Sequence, residues 1–284
     1  MRTEFVGLSA EQFRQITESL RSDAPQRGSL EKRGAPRVGM RVKLLIIPAE
    51  PLARPLMSWL RDLSADGIGI VLPEEGYLAR LRDACTRHGV VLIFDEVKSG
   101  ATVAHGGAIE RFGVQPDLAC FAKAIGGGTT IGAFGGRADV MDVVSHGAAQ
   151  QGTFNGNPLS CAAGLAALTS VLTPDAYTRF AELGTQLASG CRDAIAANGV
   201  PAHAVDLGAK GCVSYRPSPL RNYRDFLEAH AELFEATFPW MLNRGIFMTP
   251  GDEEQWTLSV QHTEEDVARY VDAFGEFCAE LAGP

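Results

Sequence analysis

The chain has 284 residues, of which 45% are hydrophobic, and a formal net charge of −8; it can bury a sizeable core as one large domain or two modest ones. An acidic surface suits phosphate backbones poorly, so nucleic acid is excluded as the main partner. No apolar run reaches the ~18 residues of a membrane span, the N-terminus lacks the apolar core of a secretory signal, and the 6 cysteines are scattered without a CxxC pair. Neither a zinc site nor a disulfide framework is expected, no membrane partner is implied, and a cytoplasmic protein fits this pattern.

In chain order, Ser9 precedes apolar Phe13, Ile16 and Leu20 at helical spacing, with Gln12 in the capping-box position. The stretch from Asp23 to Arg41 loses periodicity and collects Arg27, Lys32, Arg33, Arg37 and Arg41 among helix-breaking Pro and Gly, so it reads as a basic loop. VKLLIIP and LMSWLRDL then read as strands, followed by a turn from Ser64 to Gly67 and a third short run, IGIVL. The character changes near Pro73. Leu78, Leu81 and Cys85 follow a 3.6 period, Gly89 supplies a helix stop, and the fully apolar VVLIF predicts a buried strand of a parallel sheet. LACFA and IGAFGG repeat the strand pattern. Pro158 opens a helix of small residues suited to close packing, and Tyr177, Phe180, Leu183, Leu187, Cys191 and Ile195 trace one face of a long helix. Strand-like GCVSYR, a helix from about Tyr223 to Arg244, the segments IFMTP and WTLSV, and a last helix opened by Thr263 with Asp266 as its capping partner complete a small α+β unit.

Two apolar runs each empty into charged residues: VVLIF into Asp95 and Glu96, LACFA into Lys123. Open α/β sheets bind ligands at these C-terminal strand ends. A lysine attacks a carbonyl only as a free amine, and a flanking apolar strand would desolvate Lys123 toward that form. An aspartate on the neighbouring strand could hold a ring nitrogen protonated, and Asp95 is placed for this. An Asp-Glu pair at a strand end could equally bind metal, and Gly126 to Gly128 is either a tight turn or a loose phosphate loop lacking the GK[ST] ending. The histidines show no metal-ligand spacing, and no metal is expected.

Taken together, FDEV, VAHGG, FGVQPDL, AKAIGGG, IGAFGGR and GTFNGNPLSCAAGLAAL resemble the class III, fold-type I aminotransferases, and among them the branch that contains glutamate-1-semialdehyde aminomutase. MLNRGIFMTP and LSVQHTEEDV extend the resemblance to the C-terminus. It implies an α/β fold: a parallel-type sheet with helices on both faces in residues 73–165, then an interface helix and a small C-terminal α+β domain in 166–284. It also implies pyridoxal phosphate as cofactor and small-molecule amino donors and acceptors. Lys123 would form the Schiff base, Asp95 would pair with the pyridine nitrogen, and Val97 would pack against the ring. Thr153 would reach the cofactor phosphate of a partner subunit, which implies a homodimer. This chain departs from the family in two ways. Many members carry TGFR where this chain has Ser99, Gly100, Ala101 and Thr102. The family also places about half of its large domain, including the loop that cups the phosphate, ahead of the Asp95 strand.

Residues 1–72 resemble instead a truncated PilZ domain, with Arg33 and Arg37 as an RxxxR pair and Asp62, Ser64 and Gly67 as a DxSxxG turn. That resemblance implies cyclic di-GMP binding, for which guanidinium forks are suited. Three readings therefore stand on the sequence: a pyridoxal-phosphate aminotransferase or aminomutase, a cyclic di-GMP module, and an inactive fusion remnant.

Overall fold

The computed structural model describes residues 43–46, 56–59, 72–221, 223–249 and 256–282. Two of the strands expected near the N-terminus form an antiparallel pair, β1 (Lys43–Ile46) and β2 (Leu56–Trp59), with Leu45 opposite Met57. The helix expected after Ser9, Arg33 and Arg37 in the basic loop, and Asp62, Ser64 and Gly67 in the DxSxxG turn lie outside the described residues.

Helix α1 (Tyr77–Arg87) buries Leu81, Ala84 and Cys85, the face that the period predicts. Strand β3 (Ile93–Glu96), helix α2 (Gly107–Phe112) and strand β4 (Leu118–Ala122) follow, and β3 pairs with β4 in parallel, Asp95 opposite Cys120. Strand β5 (Gly132–Gly136) departs from the parallel expectation: it runs antiparallel to β4, with Ala122 opposite Gly132. The connection, a 3-10 turn (Lys123–Gly126) plus residues 127–131, explains this. A parallel crossover needs a dozen or more residues, and this one is too short. Nor are the strands buried on both faces as expected. Most of β5 is exposed, because among the described residues no layer covers it. Two short helices, α3 (Ala138–Met141) and α4 (Val143–His146), lead to α5 (Pro158–Ala166), which passes into a π turn (Ala167–Val171).

The remainder closes a core of its own. Helix α6 (Pro174–Asn198) is N-capped by Thr173 and buries Phe180, Leu183, Leu187, Cys191 and Ile195, so the predicted face holds. It packs on an antiparallel sheet of β6 (His203–Leu207), β7 (Lys210–Ser214) and β8 (Trp256–Thr257). The helix expected from Tyr223 to Arg244 is broken into α7 (Tyr223–Leu227) and α8 (Ala231–Asn243). At the break the His230 N–H donates to the Tyr215 carbonyl at 3.0 Å, so strand β7 draws the chain off the helical path. Helix α9 (Glu264–Ala282) starts at the predicted capping box: Asp266 accepts from the Thr263 N–H at 2.9 Å, and Thr263 Oγ1 accepts from the Asp266 N–H at 3.2 Å. Gly190 lets α6 and α9 approach closely, since a Cβ there would lie 2.6 Å from Val271.

One buried carboxylate ties the first unit together. Asp117, 3% exposed, accepts from the Leu92 N–H at 2.7 Å and from Arg82 at 2.6 Å on Oδ2, and from Arg137 at 2.7 Å on Oδ1. Burial pushes its pKa up, but the Leu92 N–H and the two guanidinium groups outweigh this and hold it below the ordinary carboxylate range. Its contribution to stability is therefore complete above the unfolded-state value and is lost as pH falls through the lower native one. Asp117→Ala is expected to cost about 1–3 kcal/mol in urea unfolding, because the Leu92 N–H and two guanidinium groups lose their acceptor. The wild-type midpoint should fall as pH drops below about 4, and this fall should be shallower in the variant.

Candidate active site

Successive strand residues point to opposite faces, and β3 uses this to separate its two carboxylates: Asp95 is exposed, whereas Glu96 is 1% exposed. Glu96 folds the following loop back on the strand. Its Oε2 accepts from Ser99 Oγ and from the Ala108 N–H at 2.9 Å, and its Oε1 accepts from the Ile109 N–H at 2.9 Å. Gly100 sits where the two strand ends come together, since a Cβ there would lie 2.6 Å from the Glu96 carbonyl and 2.7 Å from Phe121. The loop crest is Ala101, at φ +58°, whose carbonyl accepts from the Tyr177 hydroxyl of α6 at 3.0 Å. Burial, and secondarily the Glu110 charge, push the Tyr177 phenol up to about 12, so it stays a donor. Asp95 bonds only locally among the described residues: its Oδ1 accepts from the Val97 N–H at 3.1 Å. Val97 is half-buried beside it. Burial, and then the Asp95 charge, raise the neighbouring Cys120 thiol.

Lys123 leaves the end of β4 three residues past Cys120, the register partner of Asp95. The offset corresponds to roughly 10 Å along the sheet at about 3.3 Å per residue. Lys123 is exposed and holds φ +52°, a left-handed conformation that costs a non-glycine residue about 1–2 kcal/mol. Its exposure corrects the expectation of desolvation, because the apolar strand lies behind it and, among the described residues, nothing covers the side chain. The triple glycine is a turn: Gly127 and Gly128 take φ +57° and +98°, and the Gly127 N–H donates to the Ala124 carbonyl at 3.2 Å. The small residues of α5 serve this turn, since a Cβ on Gly164 would lie 3.1 Å from the Ile125 carbonyl. Thr153 lies exposed in the turn before α5, and no described hydrogen bond joins it to Asp95 or Lys123.

No group of three or more His, Cys, Asp or Glu side chains suited to a metal exists among the described residues. The amine and the carboxylate stand at the C-terminal ends of adjacent parallel strands, beside a strand that returns antiparallel, and open α/β sheets bind ligands at such ends. The class-III aminotransferase family matches residues 65–229, more than half of the chain, and the protein belongs to that family. The glutamate-1-semialdehyde 2,1-aminomutase of Sorangium cellulosum is 43% identical over 214 residues, covering 75% of this chain and 49% of the relative. That of Syntrophobacter fumaroxidans is 39% identical over 213 residues, covering 74% and 49%. Among solved structures, a β-phenylalanine aminotransferase from Variovorax paradoxus superposes with a TM-score of 0.70 at 33% identity, over 76% of this chain and 50% of that one. A glutamate-1-semialdehyde aminomutase from Pseudomonas aeruginosa in complex with PMP gives 0.68 at 27% identity, over 78% and 50%. The chain thus spans about half the length of the curated relatives it matches.

The sequence places Asp95 and Lys123 on adjacent strand ends, offers Glu96 only as half of a metal-binding pair, sets Tyr177 only on the face of a long helix, and gives Ser99 no task. Period-two alternation from the apolar run was the available signal for Glu96, since it sends the residue after Asp95 inward. Glu96→Gln should cost about 1–3 kcal/mol in denaturant unfolding, because one amide end cannot accept from a backbone N–H. For Lys123, the glycine variant should unfold roughly 1 kcal/mol later than the alanine variant, because only glycine takes the positive φ freely, and paired urea melts of the two read this.

Proposed function

We propose that this chain carries the ring-binding and lysine half of a pyridoxal-phosphate aminotransferase or aminomutase site. The observation that supports the reading is the delivery of Asp95 and Lys123 by the adjacent parallel strands β3 and β4. The donor set fits the group. Lys123 offers an exposed amine for the aldehyde, and Asp95 offers a carboxylate that pairs with no cation among the described residues to a ring N–H. When bound, pyridoxal phosphate supplies an electron sink for the carbanion at the substrate α-carbon. Lys123 would hold the aldehyde carbon until the substrate amine displaces it, and its freed amine would then move the proton at the α-carbon. Asp95 keeps the ring nitrogen protonated, and Val97 packs against the ring. Thr153 serves the phosphate of a partner subunit in a homodimer, in keeping with its exposed place on the turn before α5. Small amino donors and acceptors are the substrates, and residues 73–165 and 166–284 act as the large-domain portion and the small domain. No observation among the described residues favours cyclic di-GMP.

Purified protein given pyridoxal phosphate should develop a visible absorption band, and borohydride should fix the cofactor to Lys123, read by mass spectrometry of the peptide. A colourless protein with unlabelled Lys123 sinks the reading. Asp95→Asn should slow amino transfer by on the order of 10–100-fold, the value of one charge-assisted hydrogen bond of about 1.5–3 kcal/mol.

A further inference from the structure

Glu96 is a charged group withdrawn from water next to an exposed Asp95, and it takes three neutral donors: the Ser99 hydroxyl and the Ala108 and Ile109 N–H groups. Removing a carboxylate from water is costly, and a helix start does not require it, since a Ser, Thr or Asn beside the helix caps it as well. The surroundings are nevertheless shaped to receive this one. Gly107 stands at φ +66°, and a Cβ there would lie 2.6 Å from Glu96 Oε2 and 2.8 Å from Oε1. Capping α2 uses the Ala108 and Ile109 N–H groups alone, so the bond to Ser99 serves something else.

That bond acts locally. The Glu96 side chain reaches Ser99 Oγ while the Glu96 carbonyl accepts from the Gly100 N–H at 2.8 Å, so residues 96–100 are closed into a ring by side chain and backbone together. The Ser99 carbonyl in turn takes the Thr102 N–H at 3.0 Å, the Val103 N–H at 3.2 Å and Thr102 Oγ1 at 2.9 Å. Val97 lies inside this ring, and its N–H is the donor that Asp95 Oδ1 accepts from at 3.1 Å. The ring also rests on β4, because a Cβ on Gly100 would lie 2.7 Å from Phe121, on the strand that ends at Lys123. We propose that Glu96 is a positioning residue: through Ser99 it locks the Val97 N–H, which orients the Asp95 carboxylate toward the cofactor ring nitrogen. This rests on the reading of Asp95 as the ring partner of pyridoxal phosphate.

Affinity would be read by titrating the visible band with pyridoxal phosphate in the full chain, for wild type, Glu96→Gln, Asp95→Asn and the double variant. Glu96→Gln is expected to weaken binding by about tenfold or more in the wild-type background, the worth of one hydrogen bond, and by less than about twofold beside Asp95→Asn. A residue that acts through Asp95 has nothing to act on once that carboxylate is gone. Equal losses in both backgrounds, which a role confined to stability would give, overturn the proposal, as does no loss in either. Ser99→Ala should repeat the pattern at about threefold or more with the α2 cap intact, which decides the matter if Glu96→Gln fails to fold. Without cofactor, the Val97 amide should exchange with solvent about tenfold faster in Ser99→Ala while the α9 amides keep their rate; an unchanged Val97 amide overturns the proposal. A wild type that gives no band removes the cofactor reading and this proposal with it, whereas a band with equal losses removes this proposal alone.

Discussion

The Asp117 carboxylate lies where stretches distant in the chain meet: Arg82 of α1, the Leu92 N–H at the approach to β3, and Arg137 just after β5. A carboxylate withdrawn from water is tolerated only with its lone pairs occupied, and here a backbone donor and two guanidinium groups occupy them. The consequence is geometric. With its bonds made, β3, β4 and β5 share one origin, and the strand ends that carry Asp95 and Lys123 are set in register.

From that origin a second buried carboxylate shapes the loop above the site. Glu96 satisfies the first N–H groups of α2, which a six-residue helix cannot satisfy itself, and so closes residues 97–107 over the end of the sheet. The same loop joins the two units of the protein. Its Ala101 carbonyl takes the Tyr177 hydroxyl of α6, and Val103 and Ala108 pack with Leu207 of β6. Gly100 cannot carry a Cβ there without collision with the Glu96 carbonyl and Phe121, so the loop turns at this point only on glycine.

The two units differ in completeness, and the difference bears on chemistry. The α6–α9 unit has a closed core in which Tyr215, Phe274 and Met241 are wholly buried. The first unit holds its strained lysine and its aspartate on exposed ground. A positive φ at a non-glycine residue persists only when its surroundings enforce it, and such residues cluster at functional sites. Lys123 meets that description through the Gly126–Gly127 turn and the α5 helix packed on it. The described residues provide no cover over the Asp95 and Lys123 side chains.

Much of this was legible in the residues alone. The long face from Phe180 to Ile195, the Thr263–Asp266 capping box and the arrival of Asp95 and Lys123 at strand ends depend on local period and local hydrogen bonding, which a sequence displays directly. The reversal of β5, the break at His230, the strand β6 and the opposite fates of Asp95 and Glu96 depend on partners far along the chain. By itself the sequence determined on which kind of element Asp95, Glu96 and Lys123 sit, because strand and helix periods follow from neighbouring side chains. Only the tertiary structure decided which carboxylate is buried and that the lysine is strained and exposed. Burial and backbone strain are properties of what packs against a residue.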